Sequence, residues 1–162
     1  MIGSQHHERG VSISVTHVLT LGITTILVAM LLVSASTMLE TEQDRNTEAS
    51  LETVGERIAH DIGVVDQAVD DRDDSVAVTT DQPRQAGNSR YTVTMRNRSV
   101  CKEAPLLNGS NDCLHLTADG TDTEAYIPIE ADEPIKNGSS ASGGRIKISY
   151  TGDEIQIRGE NR

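Results

Sequence analysis

The hydrophobic pattern divides the chain into three parts, and the first is an uninterrupted apolar run. It extends from Val11 to Leu39 and contains no charged residue. At about 1.5 Å per residue a helix of this length measures roughly 43 Å, and the hydrocarbon core of a bilayer is about 30 Å thick. Its scattered Ser and Thr side chains can bond to the carbonyl groups of their own helix. The run therefore predicts a transmembrane helix.

A retained membrane anchor is the interpretation that the flanking sequence favours. A cleaved signal peptide has a shorter apolar region that ends at a small-x-small site, and a soluble protein can bury a helix in its core. Here the run is long and continues into a polar helical pattern. Arg9 precedes it, and Glu40, Glu42 and Asp44 follow it. The positive-inside rule then predicts a cytoplasmic N-terminus and an extracellular C-terminal part.

The second part of the pattern is polar but keeps the spacing of a helix. Apolar residues recur every three or four positions, at Leu51, Val54, Ile58, Ile62, Val65 and Val69. This is the pattern of an amphipathic helix with one buried face. The segment 40–74 is therefore predicted to extend the apolar helix. Its apolar stripe needs a partner, either the chain's own β domain or a neighbouring subunit.

The third part alternates apolar and polar residues with a period of two, which is typical of half-buried strands. The alternating sets lie at 76–78, 91–95, 114–116, 125–129, 146–150 and 155–157. Turn-forming residues fill the intervals, and 137–144 (NGSSASGG) is predicted to be a flexible loop. The predicted fold class is α+β: a long N-terminal helix, transmembrane and then amphipathic, followed by a small antiparallel β-rich domain.

Four segments follow from these patterns. Residues 1–10 are predicted to form a cytoplasmic leader, 11–39 the transmembrane helix, 40–74 the amphipathic extension and 75–162 the extracytoplasmic β-rich domain. The chain has no Phe or Trp and only three Tyr. Aromatic side chains supply much of the buried area in most cores. We therefore expect the domain to depend on a disulfide, on assembly or on salt for its stability.

The charge of the chain narrows the classes of partner. The formal net charge is −11, and before residue 40 only Glu8 and Arg9 are charged, and they cancel. Such an acidic surface repels nucleic acid, which argues against a DNA or RNA partner. Many Asp, Glu and Thr with few Lys is the composition of haloarchaeal proteins, in which salt screens acidic repulsion and strengthens apolar burial. An ordinary acidic surface domain is the alternative.

Cysteines and glycosylation sequons both indicate an extracytoplasmic domain. Cys101 and Cys113 have no nearby metal-ligand partners, so a zinc site is a poor interpretation. A disulfide between them is expected on the outer side of a membrane, and two free buried thiols are the alternative. Three N-glycosylation sequons begin at Asn97, Asn108 and Asn137, and none has Pro in the middle.

No catalytic motif is visible in the sequence. It has no Gly-rich phosphate loop and no GxSxG elbow. His60 and His115 have no neighbouring acid and nucleophile, and the carboxylates are too numerous to single out a general acid and base. We therefore predict that the protein is not an enzyme and has no cofactor and no metal site.

Small residues recur every seven positions in the apolar run, at Gly22, Ala29 and Ser36. On a helix they form a narrow stripe that lets another transmembrane helix approach closely. The alternative is that such residues are simply common in transmembrane helices. The stripe predicts a surface for helix packing.

The N-terminus resembles that of type IV pilins and archaeal pilin-like proteins. Arg9, Gly10 and Val11, followed at once by Ser12 and the apolar helix, match the family's leader and cleavage site. The resemblance implies that a prepilin peptidase cuts after Gly10 and leaves Val11 as the new N-terminus. It covers about Ser4 to Leu39, and the layout of helix and then β-rich head extends it loosely to the rest.

The resemblance, together with the acidic composition, implies a haloarchaeal pilin-like subunit. Its expected partners are membrane lipid, other pilin-like subunits and the prepilin peptidase. Many pilins carry Glu five residues into the mature chain, where this chain has Val15, so a minor or pseudo-pilin fits better than a major filament subunit. The alternative function is an unprocessed single-pass membrane protein with an extracytoplasmic binding or accessory domain.

Overall fold

The structure, a computed structural model, describes residues 7–69, 75–102, 104, 107 and 109–160, with side chains from Val15 onward. Contacts group the chain into two compact units, Met1–Glu42 and Gln43–Arg162, and each is described separately. The first element, α1, spans His7–Val69 and contributes residues to both units. It begins four residues before the predicted start at Val11. The predicted end of the extension, at 70–74, lies outside the described residues.

The described part of the second unit contains two small antiparallel sheets. Its elements after α1 are β1 (Ala77–Asp81), β2 (Tyr91–Arg96), α2 (Arg98–Cys101), β3 (Asp112–Ala118), β4 (Glu124–Ile129), β5 (Ser140–Ser142), β6 (Arg145–Tyr150) and β7 (Ile155–Gly159). The strand orders are β1-β6-β7 and β4-β3-β2-β5. The predicted α+β fold class is therefore confirmed.

The apolar stripe of α1 supplies the helical side of the core. Leu51, Ile58, Ile62 and Val65 are completely buried and belong to one cluster with the inward residues of both sheets. The partner that the stripe needs is thus the chain's own β domain. At about 25 cal/mol per Å² of apolar surface removed from water, this contact stabilises the unit.

A glycine lets α1 approach the β4-β3-β2-β5 sheet closely. A Cβ atom on Gly55 would lie 2.5 Å from Ile127 Cγ1 and 2.9 Å from Leu116 Cδ1, both closer than van der Waals contact allows. Gly63, two turns later, has no atom within 4 Å of the same position. The two glycines of this helix segment therefore have different physical roles.

A carboxylate fixes the connection between β4 and β5 to the helix. Asp66 accepts hydrogen bonds from the backbone N–H groups of Asp132 and Glu133, at 3.1 and 2.9 Å. Further along, Ile135 forms a parallel bridge with Ile155. The connection therefore lies along the outer edge of β7 and covers part of it.

One sequence prediction of local structure is wrong. The segment 137–144 was expected to be a flexible loop, but Ser140–Ser142 forms β5 and pairs antiparallel with β2. The N–H of Met95 donates to Ser139 O, and the N–H of Gly138 donates to Met95 O, at 2.9 and 2.8 Å. Backbone bonds to a distant strand hold this polar segment, and its own residues give no apolar signal for them.

Candidate functional site

The apolar part of α1 is exposed along its whole described length. Every residue from Val15 to Glu42 is solvent-accessible, and the most apolar window has a mean hydropathy of 2.4 with none of it buried in the protein. Hydroxyl groups in this part donate to carbonyls three or four residues earlier, as Thr20 and Ser36 do. These bonds satisfy polar groups that lipid cannot. The helix is long and apolar enough to cross a membrane.

The predicted packing stripe lies on this exposed segment. Gly22, Ala29 and Ser36 are all exposed, and a Cβ on Gly22 would have no neighbour within 4 Å. A residue seven positions further along a helix lies about 20° around the axis, so the three form one narrow face. Its role in packing stays a prediction.

The predicted processing residues lie at the beginning of α1. Arg9, Gly10 and Val11 are within the helix, and their side chains are outside the described residues. Their cleavage stays a prediction that rests on the resemblance.

The predicted disulfide is present in the structure. It joins Cys101, the last residue of α2, to Cys113 in β3, with the two Cα atoms 6.0 Å apart and a sequence separation of 12. Both cysteines are completely buried. Closing a loop of this length stabilises a domain by about 3 kcal/mol, which compensates for the small core.

Two of the three predicted glycosylation residues are neighbours. The backbone N–H of Asn97 donates to Asn137 Oδ1 at 3.2 Å, and Asn97 Oδ1 accepts from the Ser99 hydroxyl at 2.6 Å. Asn108 lies outside the described residues. Glycosylation of these residues stays a prediction.

His115 forms a hydrogen bond on the outer face of β3 and β4. Its Nε2 lies 2.9 Å from Glu124 Oε2, and its ring stacks on Tyr126 with the centroids 4.4 Å apart. In the described part of the chain no group of three or more His, Cys, Asp or Glu could hold a metal ion. The pair ties two neighbouring strands together on the face that is turned away from the core.

A polar cavity lies where several strands of the two sheets end. Its volume is about 590 Å³, and charged groups of both signs line it: Arg84, Arg90, Arg145, Asp81, Asp119 and Glu160. Tyr91 also lines it, and its hydroxyl donates to Pro83 O at 2.6 Å. Burial raises the pKa of Tyr91 to about 12. The walls suit a polar ligand better than an apolar one.

The outer face of the β1-β6-β7 sheet carries a group of cations that sequence reasoning missed. We call Arg145, Lys147 and Arg158 the basic face. Lys147 lies directly opposite Arg158 on β7, and Arg145 lies opposite Asp81 on β1. The alternation with buried isoleucines marks each cation as outward-facing, but only the strand register brings the three together.

These features define a class of protein: an α+β chain with an N-terminal helix of membrane-spanning length and apolarity, followed by a disulfide-closed antiparallel β domain. The chain belongs to the family of unknown function DUF7266, whose profile matches residues 6–160. The match covers both the apolar helix and the β domain. No curated protein and no solved structure matches the chain significantly.

Proposed function

We propose that this protein is a pilin-like subunit of a surface filament or pilus-like membrane complex, assembled through its N-terminal helix. The observation that supports this most is the fully exposed apolar segment of α1, which needs lipid or other helices around it. The small-residue stripe at Gly22, Ala29 and Ser36 is the surface for those helices. The β domain then faces the outside of the cell membrane, with the N-terminus in the cytoplasm.

Leader processing is the sharpest test of this proposal. In membranes of cells that contain a prepilin peptidase, we expect mass spectrometry to find a mature N-terminus at Val11, because Arg9 and Gly10 match the family's cleavage site. Cells without the peptidase are the control and should yield the uncut chain. An intact Met1 in both strains would contradict the proposal.

A permanently anchored binding protein is the second candidate, and the polar cavity favours it. Its three arginines and three acids could hold a small polar ligand outside the membrane. Crosslinking in native membranes separates the two candidates. A subunit of a complex gives a ladder of oligomers, and a lone anchored receptor gives one band. No nucleic acid, cofactor or catalytic role enters either proposal.

A further inference from the structure

We propose that the basic face binds the acidic side of α1 from a second copy of this chain. The acidic side is a row of four residues, Asp44, Glu48, Glu52 and Glu56, which we call the acidic row. The inference deepens the proposed function, and it rests on that function only in needing copies that assemble. It specifies which surfaces of the two β-domain units meet.

The basic face contains a repulsion that the protein does not relieve internally. Lys147 and Arg158 lie directly opposite each other on neighbouring strands, a position in which like charges are destabilising. Arg158 donates only to Gln156 Oε1, at 3.2 Å, and Lys147 has no ion pair within the described part of the chain. Only Arg145 has an acidic partner, Asp81, at 3.1 Å.

The basic face also differs from the rest of a strongly acidic surface. The chain has 25 acidic and 14 basic residues. A groove of about 430 Å³ on this face is nevertheless lined by Lys147 and Arg158 and, among the described residues, by no Asp or Glu. A groove with this charge attracts an anionic partner.

The acidic row contains the complementary repulsion. Its members follow one another at intervals of four residues and are all exposed. Like charges at this helical spacing destabilise a helix. None of the four takes part in an ion pair within the residues that the structure describes. Contact with cations of another molecule would remove the cost on both sides.

The spacings of the two surfaces agree. Neighbours in the acidic row are about 6 Å apart along the helix axis. Arg145 and Lys147 are separated by two residues of one strand, about 6.8 Å, and Lys147 and Arg158 by about 5 Å across the strands. Carboxylates of one helix can therefore meet successive cations of the face.

The contact can form only between copies. In one chain α1 packs against the inner faces of the sheets, and the basic face is on the opposite side of the β1-β6-β7 sheet. Two different surfaces of identical chains meet in a heterologous contact, which repeats from copy to copy and gives open chains or rings. Such repetition is what a subunit of a filament requires.

Charge-reversed variants of the full chain in detergent micelles test this contact by sedimentation at low ionic strength. We expect wild type to associate, and we expect K147E/R158E and E48K/E52K each to weaken self-association at least tenfold. An equimolar mixture of the two variants should associate like wild type. The substitutions make the basic face of K147E/R158E acidic and the acidic row of E48K/E52K basic, so these two altered surfaces again carry opposite charges. The control K102E/R98E changes the same charge at other exposed residues and should associate normally.

Mixed isotope labelling identifies the contact directly. Carbodiimide crosslinking of ¹⁴N and ¹⁵N wild-type copies should give a peptide pair that joins Lys147 of one isotope to Glu48 or Glu52 of the other. Unchanged association of both variants would overturn the inference, and so would a mixture that fails to recover. A third result would also overturn the inference and identify lipid as the partner of the basic face. In that result wild type binds phosphatidylglycerol vesicles, K147E/R158E does not, and no crosslinked copies form. Each result is independent of whether the mature chain begins at Val11.

Discussion

Tyr91 shows how a single residue fixes the connection between β1 and β2 in this aromatic-poor domain. It is the one tyrosine that is fully buried, and its hydroxyl reaches Pro83 O in the connection between β1 and β2. Gly143 makes room for it, because a Cβ there would lie 2.7 Å from Tyr91 Cε1 and 2.8 Å from Pro83 O. A side chain at residue 143 would push the ring away from its acceptor.

The raised pKa of Tyr91 predicts a loss of stability at high pH. Below pH 10 the phenol is protonated in the folded and the unfolded chain, and its contribution is complete. Between pH 10 and about 12 the unfolded chain loses the proton first, so the free energy of unfolding falls, by at most about 1.4 kcal/mol per pH unit.

Replacement of Tyr91 by Phe isolates this effect. We expect Y91F to lose about 1 kcal/mol at neutral pH, because the hydrogen bond to Pro83 is gone. Denaturant unfolding between pH 9 and 12 should then show a shallower decline than wild type, by one proton. An identical decline in Y91F would contradict this assignment.

At the scale of elements, the contact between α1 and the β4-β3-β2-β5 sheet depends on the absence of a side chain. Helix propensity alone makes glycine unfavourable inside a helix by about 1 kcal/mol relative to Ala. Gly55 lies close to Ile127 and Leu116, and a Cβ at this residue would force their side chains to move. Packing therefore determines the effect of a substitution on stability at residue 55, and helix propensity determines it at residue 63.

The two glycines form a matched pair of substitutions with opposite signs. G55A should destabilise the domain by about 1–3 kcal/mol, because the overpacking outweighs the gain in propensity. G63A should stabilise it by up to about 1 kcal/mol, since its Cβ meets no atom within 4 Å. Thermal unfolding followed by circular dichroism measures both. A stabilised G55A would show that the sheet can move away from the helix without cost.

Periodicity in the sequence was sufficient to predict most secondary-structure elements but not the surfaces that they form together. The helix and six strands carry alternating or helical apolar patterns, so they could be predicted. The strand β5 is Ser-Ala-Ser, and it forms only because its backbone bonds to β2, a strand about 50 residues earlier in the chain. The basic face likewise depends on the register of β6 and β7, which the spacing of isoleucines does not determine.

The net charge of the whole molecule affects its stability in addition to the effect of each single contact. With a net charge of −11, the folded chain is destabilised by its own repulsion. Salt screens it, since the Debye length falls from about 10 Å at 0.1 M to about 3 Å at 1 M. The small apolar core is also strengthened by excluded salts.

We expect the melting temperature of the dilute protein in micelles to rise when NaCl is increased from 0.1 to 1 M. The variant E48Q/E52Q/E56Q removes three charges from the acidic row, so its melting temperature should be higher than that of wild type at 0.1 M and should rise less with salt. Differential scanning fluorimetry across the salt series provides the measurement. Equal salt slopes for the two proteins would mean that repulsion in this row is negligible.

The covalent link between α2 and β3 has a consequence for cleavage of the chain. Residues 101 and 113 have a sequence separation of 12, and one broken peptide bond between them would divide the polypeptide but leave both fragments tethered. The strands β3 to β7 would stay attached to α1 after such a nick. Their release would need reduction as well as cleavage.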